Sequence, residues 1–347
     1  MTPRPEIANL ISEHRHAMAG WATHEFFTAN PGLQAKWGAN GVRRCTEDHA
    51  YHFAYLAEAV RFGFPEFFTD YMAWSKVLLH ALRIGHEHLQ ESLALMERGL
   101  EVQLGQEARK AAAIPLNIAS RALPNLPTEI PSFIKEDAPH GSLARRWLDL
   151  LLVKNAGAAR QVLLQARSSG IPLLELYQHV LTPALHEVGR LWQIRNITEA
   201  EEHYCAHVTQ NMLALLSADL AVPRVRKSVV GFSVGNEMHE LGIRIVTDCF
   251  AIHGWDAVCL GSNVPTRNLD SILLTWNPAI IAISATMTYH LGEMQAAINA
   301  IKNSSQTHKP RIFVGGRPFN ICPDLAKRLG ADASAQSCAE LISCAFA

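Results

Sequence analysis

The feature that most constrains this chain is a change of hydrophobic period near residue 226. Downstream of it, short β-branched runs at 228–234, 257–261, 279–284 and 311–314 each lead into a turn and a helical stretch, and a fifth short strand is expected near 331–335. Runs this short and this uniformly apolar are strands buried on both faces, which requires a parallel sheet with helices packed on either side. Five such strands favour a flavodoxin-like, Rossmann-type order, whose ligand groove lies beyond the carboxyl ends of strands one and three. Glu237-Met238-His239 and Ser284-Ala285-Thr286 stand at those two ends.

Upstream of the change, apolar residues recur every three to four positions, the signature of helices. Residues 46–62 open on Thr46 with acidic residues in the first turn, Pro65 restarts the chain for 66–82, and 86–104 follows. Helices of this length on short Gly or Pro turns describe an all-helical domain over 1–123, either a bundle or a globin-like sandwich. They are too long, and too poor in basic residues, for a DNA-reading helix-turn-helix. Four prolines, at 124, 127, 131 and 139, mark 124–142 as a linker. Helical patterns at 143–155, 158–168, 171–194 and 198–220 then predict a four-helix bundle over 143–221, ahead of the sheet domain at 222–347. Thr198-Glu199-Ala200-Glu201 is a capping-box pattern that sets the start of the last bundle helix.

A formal net charge of -1 over 347 residues gives no electrostatic footprint for nucleic acid. No apolar run approaches the roughly 20 residues of a membrane span, and the first residues carry no secretory leader pattern. Seven cysteines, scattered at 45, 205, 249, 259, 322, 338 and 344 with no Cys-x-x-Cys, predict reduced thiols in a cytoplasm and no zinc site.

The candidate chemistry centres on His239. Glu237 is placed to take the imidazole N–H that a metal does not use, which sets the tautomer and strengthens the donor. Gly242 permits close approach of a ligand. Ser284 closes strand three facing the same groove, and Gly315-Gly316 closes strand four where absent side chains leave room for something bulky. This pattern resembles the cobalamin-binding domain family, whose signature is an acidic residue, x, His, x, x, Gly, then about 41 residues to Ser-x-Leu/Thr and about 28 more to Gly-Gly. Here 41 residues (243 to 283) precede Ser284, and 28 (287 to 314) separate Thr286 from Gly315. The resemblance implies His239 as lower axial cobalt ligand, with the cofactor's benzimidazole displaced and Ser284, Thr286, Gly315 and Gly316 lining its nucleotide tail. Glu237 stands where many members have Asp, and Thr286 where many have Leu.

In the bundle, nine residues (193 to 201) separate Trp192 from Glu202-His203. That spacing looks like the cap of the cobalamin-dependent photoreceptors, among them light-released MerR-type repressors. The likeness implies adenosylcobalamin as cofactor, Trp192 over the adenosyl group, Glu202 bonded to it, and His203 as upper cobalt ligand after light. A corrinoid carrier for methyl transfer is the rival. It shares the lower ligand but need not carry this cap.

The first 120 residues depart from the repressors. RRCTEDHAYHFAYLAEAV and FPEFFTDYMAWSKVLL look similar to the globin-like domain of the photocobilins, which implies a linear bilin such as biliverdin. Asp48, His52 and Tyr55 share a helix face by i, i+4 and i+3 steps and can meet pyrrole N–H groups. Arg44, or its neighbour Arg43, can pair with propionates. Tyr71 and Trp74 can sandwich the chromophore, and Cys45 offers a covalent attachment. Haem is the alternative ligand, with His49, His52, His80 or His86 as proximal residue. The expected protein is a cytoplasmic, non-enzymatic light sensor, a homo-oligomer signalling to another protein, with no direct nucleic acid or membrane partner.

Overall fold

A computed structural model describes residues 1–218, 220, 225 and 227–346; the domain boundary expected between 221 and 222 lies outside the described residues. The chain forms two compact units, Met1–Glu129 with Met287–Gly292, and Ile130–Thr286 with Glu293–Ala347.

The first unit is all-helical: α1 (Pro5–Ala29), α2 (Pro31–Phe62), α3 (Glu66–Ala81), α4 (His86–Leu104) and α5 (Gln106–Ala122). Prolines in the first turns of α1 and α2 satisfy a position whose N–H has no helical acceptor. Gly38, at φ 63°, kinks α2, and Gly63, at φ 71°, ends it in the left-handed conformation. Phe26, Phe53, Leu56, Phe67, Phe68 and Met96 fill the core. Lys76 is buried and its Nζ donates to the carbonyls of Leu123, Pro124 and Leu126, closing the end of α5. The architecture established for this unit is all-α.

The second unit opens with the bundle: α6 (Gly141–Leu152), α7 (Ala156–Ser168), α8 (Leu173–Glu175), a π-helical stretch (Leu176–Leu181) leading into α9 (Thr182–Gln193), and α10 (Glu199–Leu216). Trp147, Leu148, Tyr177, Leu181 and Leu213 are buried at its centre. The linker is tied to α9: buried Glu187 accepts from the Phe133 N–H at 2.9 Å and pairs with Arg190 at 2.7 Å.

The sheet domain runs β1 (Ser228–Ser233), α11 (Leu241–Ile252), β2 (Asp256–Cys259), α12 (Leu269–Trp276), β3 (Ile280–Ser284), α13 (Leu291–Asn303), β4 (Arg311–Gly315), α14 (Arg317–Ile321), α15 (Leu325–Leu329), β5 (Ala333–Ser334) and α16 (Cys338–Phe346). All pairings are parallel and the order is β2-β1-β3-β4-β5, the flavodoxin-like arrangement. Gly231 in β1 lets α11 lie close, since a Cβ there would run into Thr247 and Ile243. The expectation of seven reduced thiols is corrected: Cys249 and Cys338 are joined in a disulfide, their Cα atoms 6.2 Å apart. The sequence hid this because the partners are 89 positions apart and no local spacing marks them.

Candidate functional site

The strand order places the carboxyl ends of β1, β3 and β4 side by side. Ser233, Ser284 and Gly315 are register partners in one row across them. From the end of β1 the chain turns through Asn236, at φ 67°, into Glu237. Glu237 is fully buried, and its carboxylate organises the turn. Oε1 accepts from the His239 backbone N–H at 3.0 Å and from its Nδ1 at 2.5 Å, while Oε2 accepts from the Thr286 N–H at 2.8 Å. The Ser233 hydroxyl donates to the His239 carbonyl at 2.8 Å, fixing the same loop to β1.

His239 is therefore held by Nδ1, and Nε2 is the nitrogen left for a ligand on a ring whose side chain is 54% exposed. The hydrogen bond to Glu237 raises the imidazole pKa above its ordinary value; surrounding protein works the other way, and the charges of Glu237 and Glu202 add to the rise. Next to it, Glu240 accepts from the Ser262 N–H at 3.0 Å and from the Gln210 side chain of α10, linking the bundle to the loop.

Glycines give the site its space. A Cβ on Gly242 or Gly315 would meet nothing within 4 Å. Gly316 is different: at φ 119° it packs on the Ala285 carbonyl, where a Cβ would overlap. Among the described residues no group of three or more His, Cys, Asp or Glu side chains is placed to hold a metal ion. The donor set is instead one oriented imidazole facing an open row of small residues. That chemistry fits a metal that arrives already held in a macrocycle and would need only His239 from this set, with Ser284, Thr286 and Gly315 as the residues beside it at the strand ends.

In the bundle, Trp192 is half-buried near the end of α9, and Trp147 is fully buried in the apolar core. Glu202 and His203 lie in the first turn of α10, after the capping box formed by Thr198 and Glu201. His203 Nδ1 meets Glu202 Oε2 at 2.7 Å, and its side chain is 71% exposed. The structure thus brings Glu202 within electrostatic reach of His239 and leaves His203 on the surface, paired to Glu202.

Sequence reasoning missed the polar joint between bundle and sheet. Tyr177, in the π-helical stretch, donates to Asp248 of α11 at 2.8 Å, and Arg244 bonds both Asp248, at 3.0 Å, and Ser217, at 2.8 Å. Burial raises the Asp248 pKa. Arg244 and Asp248, four apart on an otherwise apolar helix, were the available signal.

In the first unit the expected ligand face is differently arranged. Tyr55 stacks on Tyr71 with centroids 3.7 Å apart, and Tyr71 on Trp74 at 6.2 Å, so the rings pack on one another rather than sandwich a tetrapyrrole plane. His52 is buried, with Nδ1 at 2.9 Å from the Tyr71 hydroxyl. His49 is buried too; Nδ1 meets Thr23 at 3.0 Å and Cys45 Sγ at 3.6 Å, and Nε2 has no partner. Burial holds His49 down at about 4 and His52 at about 3. Asp48 is exposed, as are Arg43 and Arg44, both engaged with Glu47. His80 and His86 are exposed, which removes them from any buried haem site.

Comparison with known proteins gives the class. Residues 227–342 match one family model described as a B12 binding domain, and residues 143–217 match a second one so described. The second unit therefore carries B12-binding domains, and cobalamin binding is supported. Curated relatives include dimethylamine corrinoid protein 1 of Methanosarcina mazei, 25% identical over 172 residues, covering 49% of this chain and 79% of its own. The HTH-type transcriptional repressor CarH of Myxococcus xanthus is 24% identical over 230 residues, covering 62% of this chain and 74% of its own. Among solved structures, the Methanosarcina barkeri monomethylamine corrinoid protein shares the fold, with a TM-score of 0.53 and 19% identity over 60% of this chain and 99% of that one.

Proposed function

We propose that this protein is a cobalamin-dependent light sensor that binds adenosylcobalamin on His239, with the cofactor's own base displaced. The observation that carries the reading is the pairing of two halves in one compact unit: an imidazole oriented by buried Glu237, and a cap in which Trp192 is half-buried near the end of α9 while Glu202 bears on His239 electrostatically. The relationship to the CarH repressor supports it.

Adenosylcobalamin supplies a cobalt–carbon bond weak enough for visible light to cleave. The chain's own residues do the rest. His239 would hold the metal through Nε2, Trp192 would cover an apolar surface of the bound group, and Glu202 would present a carboxylate to a ribose hydroxyl. His203 is the candidate second ligand; here it is exposed and meets Glu202 at 2.7 Å and Glu199 at 3.8 Å, contacts it would give up on binding a metal. No set of catalytic residues is proposed; the output is a change of assembly, in a homo-oligomer, read by a downstream protein.

The test is reconstitution with adenosylcobalamin followed by absorption spectra in dark and light. Blue or green light is expected to convert the spectrum within seconds to a bis-histidine form that His203→Ala abolishes and His239→Ala prevents from the outset. A spectrum that stays unchanged under light ends the sensor reading. The alternative, a corrinoid carrier for methyl transfer, is favoured by the methylamine corrinoid relatives. It predicts a methyl-loaded protein that hands its methyl group to a thiol acceptor in the presence of a methyltransferase.

The first unit is proposed to hold a linear bilin such as biliverdin against the Tyr55–Tyr71–Trp74 stack, with the unpartnered His49 Nε2 as a hydrogen-bonding atom. A far-red band retained through gel filtration after biliverdin addition, and lost in Tyr71→Ala, is the expected result. A Soret band in protein purified without added bilin would point to haem instead.

A further inference from the structure

We propose that Cys249 and Cys338 form a reversible thiol–disulfide site that exchanges with a small thiol couple such as glutathione and clips the last helix to α11. Cys249 is fully buried on α11, in the layer that also holds Val229, Phe250 and Trp255. Cys338 is half-buried and is the first residue of α16, a nine-residue helix. Ser337 precedes it and caps the helix: its hydroxyl accepts from the Glu340 N–H at 3.2 Å and its carbonyl from the Leu341 N–H at 2.9 Å. One sulfur is thus shielded and the other is reachable, at the end of a helix whose dipole favours negative charge. The Cα separation of 6.2 Å suits a disulfide without backbone movement.

The chemistry assigns a role to each sulfur. In oxidation the Cys338 thiolate attacks a small disulfide, displaces one thiolate and becomes a mixed disulfide; Cys249 then loses its proton, attacks Cys338 Sγ and expels the second thiol. Two protein thiols become one protein disulfide, and one small disulfide becomes two small thiols. Reduction runs the same steps backwards. Three of the other cysteines compete poorly: burial pushes Cys45 up to about 12 and Cys205 to about 11, so both stay protonated, and Cys322 is buried. Cys259 and Cys344 are half-buried, and peptide mapping distinguishes them from the proposed pair.

The consequence falls on α16. Among the described residues its other ties include the buried Leu341, Ile342 and Ala345, the half-buried Cys344 against the same core, a 3.5 Å hydrogen bond from Arg311 to the Ala345 carbonyl, and the Phe346 ring at 5.8 Å from Trp255. A nine-residue helix held by one apolar face opens more readily than one that is also covalently fixed.

The test uses the full chain equilibrated across glutathione redox mixtures, quenched by alkylation and read by intact mass and peptide mapping. At the oxidising end five alkylatable thiols are expected to remain, with the missing pair mapping to Cys249–Cys338. Cys249→Ser, or Cys249→Ala if the first folds poorly, should trap one glutathione on Cys338, whereas Cys338→Ser should trap none on Cys249. Amides of α16 should exchange at least tenfold faster in the reduced wild type. Seven alkylated thiols at the oxidising end, a bridge between another pair such as Cys259–Cys344, an unmodified Cys338 in both Cys249 variants, or equal α16 exchange in the two states would each overturn the proposal.

Discussion

Glu237 concentrates the site's dependence on single side chains. It is buried, and its carboxylate accepts from His239 on one loop and from the Thr286 N–H on another. Partners that orient a metal-bound histidine typically contribute 10–100-fold to metal affinity. Glu237→Ala is therefore expected to weaken cobalamin binding by about that range and, by leaving the Thr286 N–H unpaired, to cost about 1–3 kcal/mol of stability. Cobalamin titration and urea denaturation measure the two effects, and unchanged affinity would remove Glu237 from the ligand assembly. The neighbouring glycines separate packing from binding. Gly316→Ala puts a Cβ into the Ala285 carbonyl at a φ of 119° and should lower stability by about 1–3 kcal/mol. Gly315→Ala meets nothing within 4 Å and should leave the urea midpoint unchanged while reducing cobalamin affinity. Equal urea midpoints for the two variants would contradict this account of the loop.

Helix α10 carries the cap residues, and its start depends on the box in which the Thr198 hydroxyl accepts from the Glu201 N–H at 3.2 Å while Glu201 accepts from the Thr198 N–H at 2.9 Å. Losing such a cap typically costs about 0.5–2 kcal/mol. Thr198→Ala should lower stability by that amount and fray the turn bearing Glu202 and His203, which amide exchange would report as faster exchange confined to that turn; unchanged rates there would show the cap to be dispensable. That box could be read directly from the sequence, because its chemistry is local. The strands were legible for a related reason: a run buried on both faces leaves only apolar residues to choose from, and the observed β1, β3 and β4 fall on the expected runs. The π-helical stretch at Leu176–Leu181 was not legible within the expected helix, since one wider turn barely changes a three-to-four period. Neither was the Tyr177–Asp248 bond, whose partners lie 71 positions apart. His239 was picked out by position and spacing, but Glu237's second role, holding the Thr286 N–H across the strand ends, exists only once β1 and β3 are neighbours.

The division into two units has a consequence for the whole molecule, because the first one buries two neutral histidines. His49 is held down at about 4 and His52 at about 3, against an ordinary 6.5, in both cases mainly by burial. Between those values and 6.5 the unfolded chain binds protons that the folded unit does not, so stability rises with pH. It is fully present above about 6.5 and is lost progressively as pH falls toward 3. Asp48 works against this: its carboxyl is pushed up to about 6, first by surrounding protein and then by Glu47, so the folded unit gains stability from it on acidification between 3.8 and 6. One exposed carboxyl opposes two fully enclosed imidazoles, and the imidazoles set the sign. Unfolding should therefore be biphasic in acid, with the helical unit opening first by about pH 4–5. Single-tryptophan fluorescence separates the phases, since Trp21, Trp37 and Trp74 belong to the first unit and Trp147, Trp192, Trp255 and Trp276 to the second. Conservative replacement of His49 by Gln should shift only the first phase, to lower pH. A single transition reported equally by both sets would show that the units unfold together and that the buried histidines do not govern the acid response.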